Sequence, residues 1–126
     1  MEKQRFTDNG DGTVTDNATG LIWQKEDDGV ARNWHDAVKY ANGLDLAGHK
    51  DWRLPTVQEL GTIMDYSRYN PAIDPIFSNA KSSTYWSSTT YASNTNGAWY
   101  VGFSNGNVNG SNKSYGNYVR CVRGGK

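Results

Sequence analysis

The chain has 126 residues, 36% of them hydrophobic and 13% aromatic, and its 13 acidic and 13 basic side chains leave no net charge. This length predicts one domain over residues 1–126 with its own hydrophobic core. One cysteine excludes an intrachain disulfide. No apolar run approaches the roughly 20 residues that cross a bilayer, so we expect no membrane insertion. The N-terminus lacks the apolar segment of a signal peptide.

Three short strands are predicted near the N-terminus. Residues 6–15 indicate two strands joined by a Gly-rich turn, because Asn and Gly supply the positive φ that tight turns need. Residues 16–20 form a second turn, and residues 21–24 a third strand.

Two helices are predicted in the middle of the chain. Asn33 is a suitable cap for the first, whose apolar positions share one face: Trp34, Ala37, Val38, Ala41 and Leu44. The second begins at Thr56, which forms a capping box with Glu59. Its apolar stripe consists of Val57, Leu60, Ile63 and Met64. Arg53 is placed to form a structural ion pair with Glu59.

The pattern changes to β after an irregular, proline-containing connection at residues 69–77. Strands are predicted at residues 85–88 and 98–104, a hairpin turn at Asn105-Gly106, and a closing strand at residues 118–123. Strands on both sides of a helical section indicate an α+β fold with antiparallel strands.

Residues 82–118 have an unusual composition. Of these 37 residues, 29 are Ser, Thr, Asn, Gly or Tyr, and none is acidic. Tyr offers a large contact area at low entropic cost, and small polar residues offer adaptable hydrogen bonds, so this composition is typical of recognition surfaces. The apolar residues between them are interpreted as scaffold: Trp86, Trp99, Val101, Phe103 and Val108.

Five motifs occur in order along the chain, at residues 8–24, 51–60, 85–88, 98–101 and 119–123. Together they closely resemble the domain family at the C-terminus of the Legionella collagen-like adhesin, which is related to formylglycine-generating enzymes. The resemblance covers essentially the whole chain. It implies a C-type lectin-like fold, with two helices, antiparallel strands and long irregular loops, and with a recognition face at residues 85–118. It also implies an extracellular, cell-surface or virion location and a possible homotrimer, since the family can cap trimeric stalks.

A second resemblance is to the variable proteins of diversity-generating retroelements, which change codons near the C-terminal end of the gene. Positions where related domains usually carry Asn, Tyr or Asp are here Gly97, Gly102, Asn109, Gly110, Ser111, Ser114, Tyr115, Gly116 and Asn117. Ordinary drift in a Gly- and Asn-rich family gives the same pattern, and both interpretations stay open.

The sequence therefore predicts a non-enzymatic recognition domain whose partner is a cell-surface protein or a glycan. The predicted ligand-binding residues are Tyr91, Asn96, Gly97, Tyr100, Gly102, Ser104, Asn109, Gly110, Ser111, Ser114, Tyr115, Asn117 and Tyr118. The alternatives are a trimerising structural module, or a fixed adhesin that binds sulfated glycans without calcium through Lys113, Arg120 and Arg123. All acidic residues lie at or before Asp74, whereas five of the basic ones follow it, which favours an anionic partner. An internal dipole without a partner explains the same asymmetry.

Other chemistry has weaker support. Cys121 alone cannot perform the paired-thiol oxidation of formylglycine-generating enzymes, and we expect it to be a small buried hydrophobe. The two histidines, His35 and His49, are interpreted as surface residues. The acidic turn at residues 8–17 departs from the EF-hand pattern, since Gly10 replaces an oxygen ligand. Clustered Lys and Arg for nucleic-acid binding are missing, and we expect no cofactor, metal or catalysis.

Overall fold

The computed structural model describes residues 5–65, 67–68, 71–74, 76–77, 83–90, 96–103 and 106–124. Within these ranges the chain is α+β, as predicted, with two helices and two antiparallel sheets. The elements are β1 (Phe6–Asp8), β2 (Thr13–Asp16), β3 (Ile22–Gln24), α1 (Trp34–Asn42), α2 (Val57–Thr62), β4 (Thr84–Thr90), β5 (Gly97–Gly102), β6 (Asn107–Asn112) and β7 (Val122–Arg123).

The first sheet has the strand order β1-β2-β3-β7 and contains the three strands predicted near the N-terminus. Gly10 and Gly12 in the turn between β1 and β2 both have positive φ, as the turn prediction requires. Trp23 lies opposite Val14 on one side and Val122 on the other. The last strand of the fold therefore completes a sheet that the N-terminal residues begin.

The second sheet has the order β4-β5-β6 and is buried on both faces. Tyr85 and Val101 are paired and belong to one hydrophobic cluster, which includes Trp23 and Leu60. Side chains alternate between the faces of a strand, and Trp86 accordingly belongs to a second cluster beneath α1. Because both faces are packed, the described surface of this sheet is mainly its outer strand, β6.

Both helices begin at the predicted caps. The Asn33 side chain accepts a hydrogen bond from the Asp36 N–H, and Thr56 and Glu59 form the predicted capping box. Glu59 also pairs with Arg53 through two contacts of 2.7 and 2.8 Å, which confirms the expected ion pair. Both helices end earlier than their apolar stripes predict, leaving Leu44, Ile63 and Met64 just beyond them.

The closing strand predicted at residues 118–123 is wrong in extent, because only Val122 and Arg123 form strand. Tyr118 instead exchanges backbone hydrogen bonds with β4, while the Cys121 carbonyl accepts one from Gln24 in β3. The segment passes from the second sheet to the first, so it cannot pair with one neighbour throughout. By contrast, β6 is a strand of six residues, for which the sequence analysis predicted only the preceding hairpin turn.

The assignment of scaffold residues needs two corrections. Val108 is 43% exposed on the outer strand rather than buried, and Trp99 is half-buried. Trp86, Val101 and Phe103 are buried as predicted. In the part of the chain that is described, no helix is long and apolar enough to cross a membrane.

Candidate functional site

The predicted site residues differ in how far they are exposed to solvent. Four of them are exposed, namely Asn96, Asn109, Ser114 and Tyr115, and Tyr115 is the most open of the large apolar side chains at 64%. Four are half-buried: Tyr100, Gly110, Ser111 and Tyr118. Three are buried: Gly97, Gly102 and Asn117. Tyr91 and Ser104 lie outside the described residues.

Asn109, Ser114 and Tyr115 lie on β6 and the turn that follows it, and Asn96 directly precedes β5. The Lys113 N–H donates to the Asn96 carbonyl at 2.8 Å, which continues the β5–β6 ladder by one hydrogen-bonded pair beyond the two strands. Such pairs alternate with non-hydrogen-bonded ones, so the Gly110 N–H points to the outer edge. There the Asn109 side chain accepts it at 2.8 Å.

Asn112, the last residue of β6, accepts hydrogen bonds at the same outer edge. Its side-chain oxygen accepts from the Ser114 N–H and hydroxyl, and its carbonyl accepts from the Tyr115 N–H. An edge strand whose outward groups are occupied by local side chains is a poor template for strand addition. A partner would therefore contact the side chains of β6 and its turn.

An open polar depression of about 530 Å³ lies where this turn meets the start of α1. Its lining consists of Asn33, His35, Asn96, Asn112, Lys113 and Ser114. The Trp34 N–H donates to the Lys113 carbonyl at 2.9 Å, which fixes the helix against the turn. Amide and hydroxyl groups thus surround one ammonium group, and the lining contains no carboxylate.

Lys113 is held in place by two contacts. Its ammonium nitrogen lies 4.2 Å from the centre of the Trp34 ring and 3.1 Å from the Thr90 hydroxyl. The Trp34 indole in turn donates to the Ser87 carbonyl at 2.9 Å. A cation over an aromatic face is attracted to the ring and loses some freedom of movement, so Lys113 is partly preorganised for an anionic or polar group.

Arg120 is wrongly assigned as a glycan contact, because it is 1% exposed. One of its nitrogens donates to the Gln24 and Lys25 carbonyls, both at 2.6 Å, and the other lies 3.4 Å from an Asp27 oxygen. Burial lowers the pKa of its guanidinium, and the nearby Tyr85 and Asp27 oppose that shift. Burial of Arg120 could not be predicted locally, because residues 118–123 were expected to form one strand and only Val122 and Arg123 do.

Arg123 is also engaged, with Asp51 at 2.6 and 3.0 Å. That hydrogen-bonded pair raises the pKa of Arg123 and lowers that of Asp51. Of the three cations predicted to bind glycans, Lys113 is the one whose contacts leave it beside an open depression.

Asn117 supports the surface from below. Its backbone exchanges two hydrogen bonds of 2.9 Å with Arg32, and its side-chain oxygen accepts from the Thr84 hydroxyl. These contacts tie the turn carrying Tyr115 to the segment before α1 and to β4. We therefore assign Asn117 to positioning rather than to contact with a ligand.

The cysteine, the two histidines and the acidic residues were also considered for catalysis or metal binding. Burial raises the pKa of the Cys121 thiol to about 12, so it stays protonated. Both histidines are exposed, as interpreted. Among the described residues no group of three or more His, Cys, Asp or Glu is arranged to hold a metal ion.

The contribution of α1 was missed by the sequence analysis. Asn33 was identified as a cap and His35 as a surface residue, but nothing local indicated that both line a depression with Lys113. The proximity arises from the long-range bond between Trp34 and Lys113. Such a contact could have been found only from the assembled fold.

A family model described as the Lcl C-terminal domain matches residues 12–123. The match covers most of the chain and confirms the resemblance drawn from the five motifs. No curated protein matches the sequence.

Proposed function

Because this chain belongs to the Lcl C-terminal domain family, we propose that it is a non-enzymatic recognition domain displayed on a bacterial surface or a virion. Its binding surface would consist of β6, the turn at residues 113–116 and the start of α1. We further propose a C-type lectin-like fold, with both sheets and both helices serving as its scaffold. The partner is a cell-surface protein or a glycan.

One observation carries this proposal: amide and hydroxyl side chains surround an ammonium group in a depression beside the second sheet. Lys113 is held within it by Trp34, and the exposed Tyr115 belongs to the same turn, at residues 113–116. A few polar groups around a preorganised site are what specific recognition requires. Because both faces of the second sheet are packed, its sequence could vary between relatives mainly at this edge.

The binding surface is tested with the purified domain on an array of sulfated, carboxylated and neutral glycans and on intact host cells. Tyr115→Ala and Lys113→Ala should reduce binding about tenfold or more, in the range seen when central contact residues are truncated. Lys50→Ala is the matched control, because Lys50 is exposed on the loop after α1 and does not line the depression. Unchanged binding by both site variants would place the recognition surface elsewhere.

A sulfated glycan is the second candidate, favoured by Lys113 and by the lack of acidic residues after Asp74. Retention on heparin should fall as salt rises, and Lys113→Ala should elute earlier than Lys50→Ala. If both variants elute together, the interaction depends on net charge alone and this candidate is wrong.

Retroelement diversification is the finer form of the proposal. Asn109, Ser114 and Tyr115 are exposed, so these three positions could change without disturbing the core, whereas Gly97, Gly102 and Asn117 are buried. The gene should then lie beside a reverse transcriptase and a near-identical template repeat that differs at adenines. Without them the domain is a fixed adhesin, and light scattering would show whether it acts as a homotrimer.

A further inference from the structure

The chain contains five Asn-Gly dipeptides, which begin at Asn9, Asn42, Asn96, Asn105 and Asn109. Glycine lacks a Cβ, so its backbone nitrogen can approach the side-chain amide of the preceding Asn more closely than that of any other residue. That approach is the bond-forming step of spontaneous deamidation. All five sites share the Asn-Gly sequence, so the surrounding structure must distinguish their rates of deamidation.

Two of the glycine nitrogens are occupied by the backbone. The Gly43 N–H donates to the Lys39 carbonyl at 3.0 Å at the end of α1, and the Gly106 N–H donates to the Gly102 carbonyl at 3.0 Å in the hairpin turn. Ring closure at either site must first break that hydrogen bond. Asn105 itself lies outside the described residues.

The dipeptide in the first turn is held apart by side chains. The Gly10 N–H donates to the Asp8 carboxylate at 3.0 Å. The Asn9 amide nitrogen donates to the hydroxyls of Thr13 and Thr15, both at 2.9 Å. Both reacting groups therefore have other partners.

Asn109-Gly110 differs from these sites in its contacts. Its glycine N–H points away from β5, and its hydrogen-bond acceptor is the Asn109 side chain itself at 2.8 Å. The reacting nitrogen and amide are thus already adjacent, on an exposed edge strand. By contrast, Gly97 of the fourth described dipeptide is buried in β5. We propose that Asn109 is the preferred site of spontaneous deamidation in the folded domain.

The reaction needs only water and a base. The Gly110 nitrogen loses its proton to hydroxide and forms a bond to the Asn109 side-chain carbonyl carbon. The bond from that carbon to the amide nitrogen breaks, and ammonia leaves after taking a proton from water. Water then opens the resulting five-membered imide at either carbonyl carbon, which gives aspartate or isoaspartate without oxidation or reduction.

The product changes the character of the edge. The reaction places a carboxylate in the segment after Asp74, which otherwise contains no acidic residue. Isoaspartate also adds one carbon to the backbone of β6, which shifts the strand relative to β5. The effect on binding rests on the proposed function, whereas the modification itself depends on local geometry alone.

Peptide mapping by mass spectrometry tests the preference. The folded protein is incubated in mildly alkaline buffer, and a parallel sample is incubated in denaturant. In denaturant the five sites should convert at similar rates, because their local sequences are alike. For each site the folded rate is divided by the denatured rate, and this ratio should be about tenfold higher at Asn109 than at Asn42 or Asn9, since those require a hydrogen bond to open.

Two variants serve as controls for the chemistry. Asn109→Gln would need a six-membered ring, and Gly110→Ala adds a Cβ, so both should suppress conversion at this position while the other sites keep their rates. A ratio at any of the other four sites equal to or above that at Asn109 overturns the proposal.

The consequence for recognition is measured separately with Asn109→Asp on heparin. Earlier elution than the wild type is expected, because the added carboxylate opposes an anionic ligand. If the unmodified domain is not retained on heparin, the glycan candidate fails, while the mass measurement still decides the deamidation.

Discussion

The β1–β2 turn and the β5–β6 hairpin are both rich in Asn and Gly, but their polar side chains are used differently. In the β1–β2 turn, the Asp8 carboxylate accepts from Lys25, 17 residues away, and the Asn9 amide donates to the Thr15 hydroxyl, 6 residues away. In the hairpin, Asn109 and Asn112 accept from residues at most two positions away, and Tyr115 projects outward. Composition is therefore shared, while the range of the side-chain contacts separates a structural turn from a surface that can change.

Arg120 also has long-range side-chain contacts, and its substitution is expected to have the largest effect on stability. Arg120→Ala removes the donor to the Gln24 and Lys25 carbonyls and leaves Asp27 without its buried cation. It should lower the free energy of unfolding by about 3 to 5 kcal/mol. Urea denaturation followed by Trp fluorescence measures this.

Arg123→Ala is the matched control, because the Asp51 side chain of that pair is 63% exposed. It should cost about 1 kcal/mol or less. Equal losses from the two variants would mean that Arg120 is not the structural residue that its burial indicates.

Asp16→Asn should have the next largest effect, about 2 kcal/mol, through the loss of a charged hydrogen-bond acceptor. Burial disfavours the Asp16 carboxylate, but Arg5 and the Ala18 N–H outweigh this and lower its pKa. The stabilisation is then complete above the unfolded pKa of about 4 and is lost as the pH falls through the lower folded pKa. The wild type should therefore lose stability in acid more steeply than Asp16→Asn, which is checked by unfolding at graded pH.

A pair of glycine substitutions compares the two regions directly. Gly10 in the β1–β2 turn has a φ of +77°, so Gly10→Ala should cost about 1 kcal/mol through backbone strain although the space is open. Gly116 has ordinary φ, and an added Cβ would meet Ala31 at 3.5 Å, an ordinary contact. Gly116→Ala should therefore change stability by less than about 0.5 kcal/mol. A large loss there would show that the 113–116 turn is as constrained as the first.

The smallest effect on stability is expected at Tyr115. Because its side chain is 64% exposed, Tyr115→Ala should shift the unfolding free energy by less than about 0.5 kcal/mol. Thermal unfolding of this variant beside the binding assay separates recognition from folding. A substantial loss of stability would return Tyr115 to the scaffold.

Local signals predicted most of the fold. The cap at Asn33 and the capping box at Thr56 depend on neighbouring residues, and both were identified correctly. The extent of the closing strand was missed because Tyr118 and Val122 pair with different sheets. The depression was missed for the same reason, since Lys113 meets Trp34 through a long-range contact. Side-chain periodicity contains no information about which distant strand a segment will join.

The placement of β7 beside β3 has a consequence for how the domain folds. The Arg120 side chain binds the Gln24 carbonyl across 96 residues of sequence, and Val122 lies beside Trp23. Contacts of such high order slow folding, because loop-closure entropy must be overcome before they form. During synthesis the N-terminal strands are made first, yet their sheet stays incomplete until β7 has left the ribosome. Over that interval the strand edge of β3 is open to the wrong partner, and this is the stage at which a chaperone would act.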